Sequence, residues 1–114
     1  MTKEVAKSAA QMRKGVLDLC ILRILSGGEA YTSDIIEALQ AVDLLVVEGT
    51  IYPLLTRMKN LGALDYRWEE SNSGPPRKYY RITPAGASML TELESTWEAF
   101  VHSVNSINAE PKNS

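Results

Sequence analysis

The residues best equipped for chemistry are gathered in one stretch, Glu48-Gly49-Thr50-Ile51-Tyr52-Pro53-Leu54-Leu55-Thr56-Arg57-Met58-Lys59-Asn60-Leu61-Gly62. Leu54, Leu55, Met58 and Leu61 recur at helical spacing and predict one apolar face. Gly49 or Thr50 is the expected cap, Pro53 falls in the first turn where its missing N–H costs little, and Gly62 suits a left-handed stop. The opposite face then carries Thr50, Tyr52, Thr56, Arg57 and Lys59, with Asn60 at its end. Hydroxyls, an aromatic ring and two cations on a narrow rod match the phosphates and base edges of a DNA major groove. Arg57 stands out, because a guanidinium makes bidentate contacts that an ammonium does not. An ordinary solvated helix face fits the same residues, so the decision rests on the segment C-terminal to Gly62.

That segment holds a second cationic group. Arg77 and Lys78 come directly after Pro75-Pro76, a position suited to phosphate contact. Nothing comparable exists for catalysis. His102 is the single histidine and Cys20 the single cysteine, and their spacing assembles neither a metal site nor a nucleophile–base pair. Cys20 lies in an apolar run and reads as a reduced core thiol. An enzyme is not expected, and neither is a cofactor or a metal.

The net charge of −2 looks wrong for a nucleic-acid binder until it is divided along the chain. Residues 1–17 carry +3, residues 18–48 carry −5, residues 49–83 carry +3 and the remainder −3. Attraction to DNA depends on charge within a Debye length of about 8–10 Å, so a basic face is compatible with a negative total. At 114 residues the chain suffices for one modest core. No apolar run reaches the roughly 18 residues of a membrane span, and a signal-peptide core is missing, so a cytoplasmic protein without membrane association is expected.

The elements that must position these groups can be read from periodicity. Residues 1–11 are polar and rich in small side chains, and are expected to form a flexible arm, frayed or weakly helical until it meets a partner. From Gln11 to Ser26, Met12, Val16, Leu17, Cys20, Ile21, Ile24 and Leu25 predict a first helix ended by Gly27-Gly28. Thr32 or Ser33 is the expected cap of a second helix buried through Ile35, Ile36, Leu39 and Val42. The apolar segment Asp43–Val47 is either extended or a turn that plugs the core. After Gly62 the period becomes two. Leu64–Glu69 and Arg77–Ile82 read as antiparallel strands, joined by a long loop over Glu70–Pro76. Tyr80 shares a strand face with Ile82 and is expected in the core. Three helices and then a hairpin predict a mainly α, α+β fold: a winged helix-turn-helix over residues 12–83, whose third helix enters the major groove while the wing touches the flanking backbone.

Thr83 and Pro84 open a last helix over residues 84–107. Leu90, Leu93, Trp97, Phe100, Val104 and Ile107 recur along it at alternating spacings of four and three, a heptad seam. Roughly 24 residues extend about 36 Å, farther than the small domain needs. The exposed end of such a seam calls for a partner, either its copy or the partner's first helix, and a long C-terminal dimerisation helix is expected; the rival expectation is that the helix folds back on its own domain. The tail over residues 108–114 is polar and expected to be disordered.

The run Val46-Val47-Glu48-Gly49-Thr50-Ile51-Tyr52-Pro53-Leu54-Leu55-Thr56-Arg57-Met58, and then Gly74-Pro75-Pro76-Arg77-Lys78-Tyr79-Tyr80-Arg81-Ile82-Thr83, resembles the PadR family of transcriptional regulators. Met12–Leu17 resembles that family's first helix, and the likeness covers roughly residues 12–100. A single C-terminal helix is similar to the short-tailed subfamily, in which the terminal helices build a dimer. The resemblance implies a homodimeric repressor of double-stranded DNA at a roughly palindromic operator. It implies third-helix contacts from Thr50, Tyr52 and Arg57, backbone contacts from Tyr31 and Thr32, and wing contacts from Arg77 and Lys78. Pro53 and Gly74, inside the two motifs, are counted with them. Similar short-tailed regulators that sense drugs place a Trp in the last helix, so the resemblance also implies that Trp97 faces its copy and holds a planar aromatic ligand. Two indoles with a nearby carboxylate, Glu94 or Glu98, suit a flat cation. A winged helix used only for protein–protein contact is the competing expectation; it lacks salt-dependent DNA affinity.

Overall fold

The computed structural model describes residues 2–45 and 47–110. Helix α1 spans Lys3–Ser26, strand β1 Ala30–Tyr31, helix α2 Thr32–Ala41, helix α3 Ile51–Asn60, strand β2 Leu64–Ser71, strand β3 Gly74–Ile82 and helix α4 Pro84–Ser106. A single 3-10 turn, Glu48–Thr50, leads into α3. The architecture is the winged helix-turn-helix with a long final helix that the periodicities predict.

Helix α1 starts earlier than expected. The Thr2 hydroxyl accepts the Val5 N–H at 3.2 Å, and residues 3–11, expected as an arm, form helical turns. The expected apolar stripe is also incomplete. Leu19 and Leu22 are buried beside Leu17, Ile21 and Leu25, whereas Met12 is 74% exposed. The C-terminal half of α1 packs against α2, β3 and α4 together, so burial there exceeds a single stripe.

Strand β1 has no counterpart among the expected elements. Two residues are too short for a period-two signal, and it exists by pairing Ala30 with Tyr80 and Tyr31 with Tyr79. The cap of α2 also differs from Thr32 or Ser33: the Asp34 carboxylate accepts the Tyr31 N–H at 2.9 Å. Ile35, Ile36 and Leu39 are buried as expected, but Val42 sits past the helix end and is exposed. Asp43 then turns the chain at φ 59°, a left-handed conformation that Asp tolerates better than most residues. Leu45 plugs the core, and Val46 lies outside the described residues.

Thr50 does not cap α3. Its backbone is already helical, and its N–H is satisfied by the Val47 carbonyl at 3.1 Å through the 3-10 turn. The buried face is Ile51, Leu55 and Met58, with Leu54 half-buried; Leu61, past the last turn, is exposed. Gly62 takes φ 81°, the left-handed stop that its lack of a Cβ permits.

The sheet is antiparallel in the order β1-β3-β2. Its hairpin is tighter than the expected seven-residue loop, turning over Asn72-Ser73 with Ser71 opposite Gly74. A register shift between Glu69 and Ser71 accommodates Pro75 and Pro76 inside β3. Their missing N–H groups are tolerated because β1 pairs only as far as Tyr79, leaving that edge free. On α4, the Thr83 hydroxyl accepts the Gly86 N–H at 3.0 Å, with Pro84 in the first turn. The core runs from Leu17 through Ile35, Ile51, Met58 and Tyr80 to Leu90.

Candidate nucleic-acid interface

Helix α3 buries Ile51, Leu55 and Met58, which turns Tyr52, Pro53, Thr56, Arg57 and Asn60 outward along one ridge with a shallow depression. Beside it lies a cleft of about 490 Å³, bounded by Tyr31, Thr32 and Ser33 at the start of α2, by Trp68, Arg77, Lys78 and Tyr80 of the wing, and by Tyr52 and Thr56 of α3. Because Tyr52 and Thr56 belong to both, ridge and cleft form one continuous surface. Of the residues expected at DNA, Tyr31, Thr32, Tyr52, Arg77 and Lys78 gather at the cleft, and Pro53 and Arg57 on the ridge. Thr50 stays back in the 3-10 turn, half-buried, and Gly74 sits beyond the cleft beside the exposed hairpin turn.

Ser33, Thr56, Asn60 and Trp68 join this surface although they are not among the expected contacts. Thr56 and Asn60 do lie on the polar face predicted for the third helix. Trp68 reads as the buried half of an alternating strand, yet it is 61% exposed. It comes after Leu64 and Tyr66 on the inner sheet face, at a distance the core does not reach. Alternation reports the face of a strand and not how far the core extends beneath it.

The cations of the region are not equivalent. Of the six in residues 49–83, ion pairs among the described residues engage three. Arg57 pairs with Asp18 of α1, Arg67 with Glu69 and with Glu29 at 3.3 Å, and Arg81 with Asp65 at 2.9 Å. The Arg81 hydrogen bond, helped by the Tyr66 N–H, lowers the Asp65 pKa, and the Glu69 hydrogen bond raises that of Arg67. Lys59, Arg77 and Lys78 stand outside these pairs. Arg77 lies over the Tyr31 ring at 4.0 Å, and Lys78 is 4.6 Å from the Tyr66 ring centroid. Stacking orients these groups without neutralising them, so their charge remains available to phosphate. Burial raises the pKa of Tyr80 on the cleft wall, favouring its neutral hydroxyl.

A second concavity lies away from this surface. Gln11, Met12, Gly15, Val16, Asp18 and Leu19 of α1 face Leu93, Thr96, Trp97, Phe100, Val101, Val104 and Asn105 of α4 across a groove of about 520 Å³. Along the seam, Leu90 is buried, Leu93 half-buried, and Trp97, Phe100, Val104 and Ile107 are exposed, Ile107 lying just past the helix end. Trp97 lines this groove between helices of its own chain, whereas Glu94 does not: it pairs with Arg23 at 3.0 Å. The carboxylate at the groove is Asp18. Among the described residues no His, Cys, Asp or Glu cluster could hold a metal ion, and no helix is long and apolar enough to cross a membrane.

Residues 21–92, well over half of the chain, match the transcriptional regulator PadR-like family. A PadR-like transcription factor from Bacteroides fragilis is 52% identical, with 90% of this chain and 99% of that one covered and a TM-score of 0.74. A PadR-like transcriptional regulator from Bacillus cereus is 37% identical over 89% and 99% of the two chains, with a TM-score of 0.73. A PadR family regulator from Eggerthella lenta is 32% identical over 88% and 84%, with a TM-score of 0.77. With the family matched across helices, wing and the start of α4, the chain belongs to the PadR-like family and is a DNA-binding transcriptional regulator, not an enzyme.

Proposed function

We propose that the chain acts in the cytoplasm as a homodimeric repressor that reads a roughly palindromic operator. Residues 12–83 serve as the reading unit and residues 84–107, α4 with Ile107 just past its end, as the pairing segment. The observation that carries the reading is the continuous surface on which the α3 ridge, the start of α2 and the wing cations meet at Tyr52 and Thr56. In this reading α3 enters the major groove. Tyr52, Thr56 and Arg57 reach base edges or phosphates, Pro53 sets the approach of the first turn, and Thr50 and Gly74 lie at the margins. Tyr31, Thr32, Arg77 and Lys78 hold the flanking backbone.

Dimerisation is supported by the apolar side chains that α4 leaves uncovered, Trp97, Phe100, Val104 and Ile107, together with Met12 on the facing stretch of α1. Two copies pairing through these helices bury that surface and present two reading helices, which a palindromic site requires. Trp97 and the groove beside it also suit a planar aromatic molecule whose binding relieves repression, the acid at the groove, Asp18, being already engaged by Arg57 and Glu94 by Arg23.

The test is a titration of the purified protein against the duplex immediately upstream of its own gene, over a range of salt, beside a random duplex. Tight, salt-sensitive and selective binding is the expected result. Absence of selectivity there and in a genome-wide selection would replace this reading with that of an interaction module.

A further inference from the structure

Asp18 occupies a position that no other acid among the described residues shares. It lines the groove between α1 and α4, and its carboxylate accepts a hydrogen bond from the Arg57 guanidinium on α3, 39 residues away. The Asp18 side chain is only 23% exposed and that of Arg57 is 50% exposed, so the pair is anchored on the α1 side and open on the α3 side. Arg57 sits on the same ridge as Tyr52, Pro53, Thr56 and Asn60, on the flank turned toward α1. A carboxylate can engage one side of a guanidinium fork and leave other N–H donors free.

From this geometry we infer that Asp18 is a positioning residue for DNA reading. It fixes the direction of the Arg57 fork and ties the reading helix to the wall of the α1/α4 groove. The inference rests on the proposed function, in which Arg57 reaches the duplex. Two consequences separate it from simple stabilisation. An Arg57 without its anchor samples more rotamers and reaches phosphates on any sequence, so non-specific binding strengthens while selectivity falls. The effect must also pass through Arg57, so it disappears when Arg57 is absent.

The experiment is a double-mutant cycle on the full chain, using Asp18→Asn and Arg57→Gln, read as the ratio of affinities for a selected operator and a random duplex at fixed salt. Asp18→Asn alone is expected to lower that ratio about tenfold, within the range one good base contact supplies. In the Arg57→Gln background the same change is expected to alter the ratio by less than about twofold. Asp18→Glu keeps a carboxylate and is expected to recover part of the selectivity, which also tests the inference should Asp18→Asn fold poorly. A ratio unchanged in a folded Asp18→Asn chain, or effects that multiply in the double variant, would overturn the inference while leaving DNA binding intact. If the wild-type chain itself shows no selectivity for any duplex, it is the proposed function that fails.

Discussion

Arg57 and Arg77 carry the same group into the proposed DNA surface, but their surroundings assign them different work. Arg57 is neutralised and aimed by Asp18, whereas Arg77 is oriented by stacking on Tyr31 and keeps its charge uncompensated among the described residues. Arg57→Ala should therefore weaken operator binding by about 1–3 kcal/mol and loosen sequence choice, while Arg77→Ala should weaken all duplexes alike and reduce the salt slope by about one. Binding isotherms on operator and random duplexes across salt separate the two. Equal loss on both duplexes for Arg57→Ala would demote it to a phosphate contact.

Two other residues shape the alkaline behaviour of the folded chain. Burial raises the pKa of the Tyr80 hydroxyl and of the Cys20 thiol, the latter against a smaller opposing pull from Arg23. Both folded values lie above the unfolded ones. Their contribution to stability is thus fully present below the unfolded pKa values and is lost as pH rises through the folded ones. The unfolding midpoint should fall more steeply with alkaline pH in the wild type than in a Tyr80→Phe, Cys20→Ser double variant. Parallel profiles would show that neither group is disfavoured from ionising by the fold.

At the scale of elements, the junction between wing and last helix leaves no room for a side chain at Gly86. A Cβ built on Gly86 would lie 2.0 Å from the Ala63 carbonyl oxygen and 2.8 Å from Cγ1 of Ile82. That carbonyl also accepts the Thr83 N–H at 3.1 Å, so it is not free to move away. Gly86→Ala should destabilise the fold by about 1–3 kcal/mol, the range for overpacking, despite the better helix propensity of Ala. Denaturant unfolding measures it, and a neutral or stabilised variant would show that α4 can shift away from β2. Thr83 and Pro84 are legible as a helix start because capping is local chemistry. The need for glycine at 86 is not, because the atom it avoids is 23 residues distant in the chain.

For the whole molecule, the decisive question is what covers the exposed end of α4. Trp97→Ala removes the largest side chain of the seam, and the proposed dimer should dissociate at higher protein concentration as a result. Sedimentation of both chains over a concentration series reads the change. A variant that remains as dimeric and as stable as the wild type would mean that the seam lies elsewhere. DNA affinity should track the same concentration dependence, since two linked half-sites bind together.

The amino-acid order by itself determined much of what is set within a few residues, the starts of α1, α2 and α3 and the tight hairpin turn excepted. Helical and strand periods, the stop at Gly62, the Thr83 cap, the inward side of Tyr80 and the polar face of α3 all came from neighbours in the chain, and the long PadR-like motifs supplied the family. Tertiary structure alone decided those features whose deciding partners are remote in sequence. Strand β1 exists through β3, Trp68 is exposed because the core ends beneath it, and α1 is buried on several faces because three elements surround it. Among the described residues, the cationic segment resolves into Arg57, Arg67 and Arg81, which folding places beside carboxylates, and Lys59, Arg77 and Lys78, which it does not. Charge and hydrogen bonding act through space over a few ångströms, and only the folded chain specifies which residues share that distance.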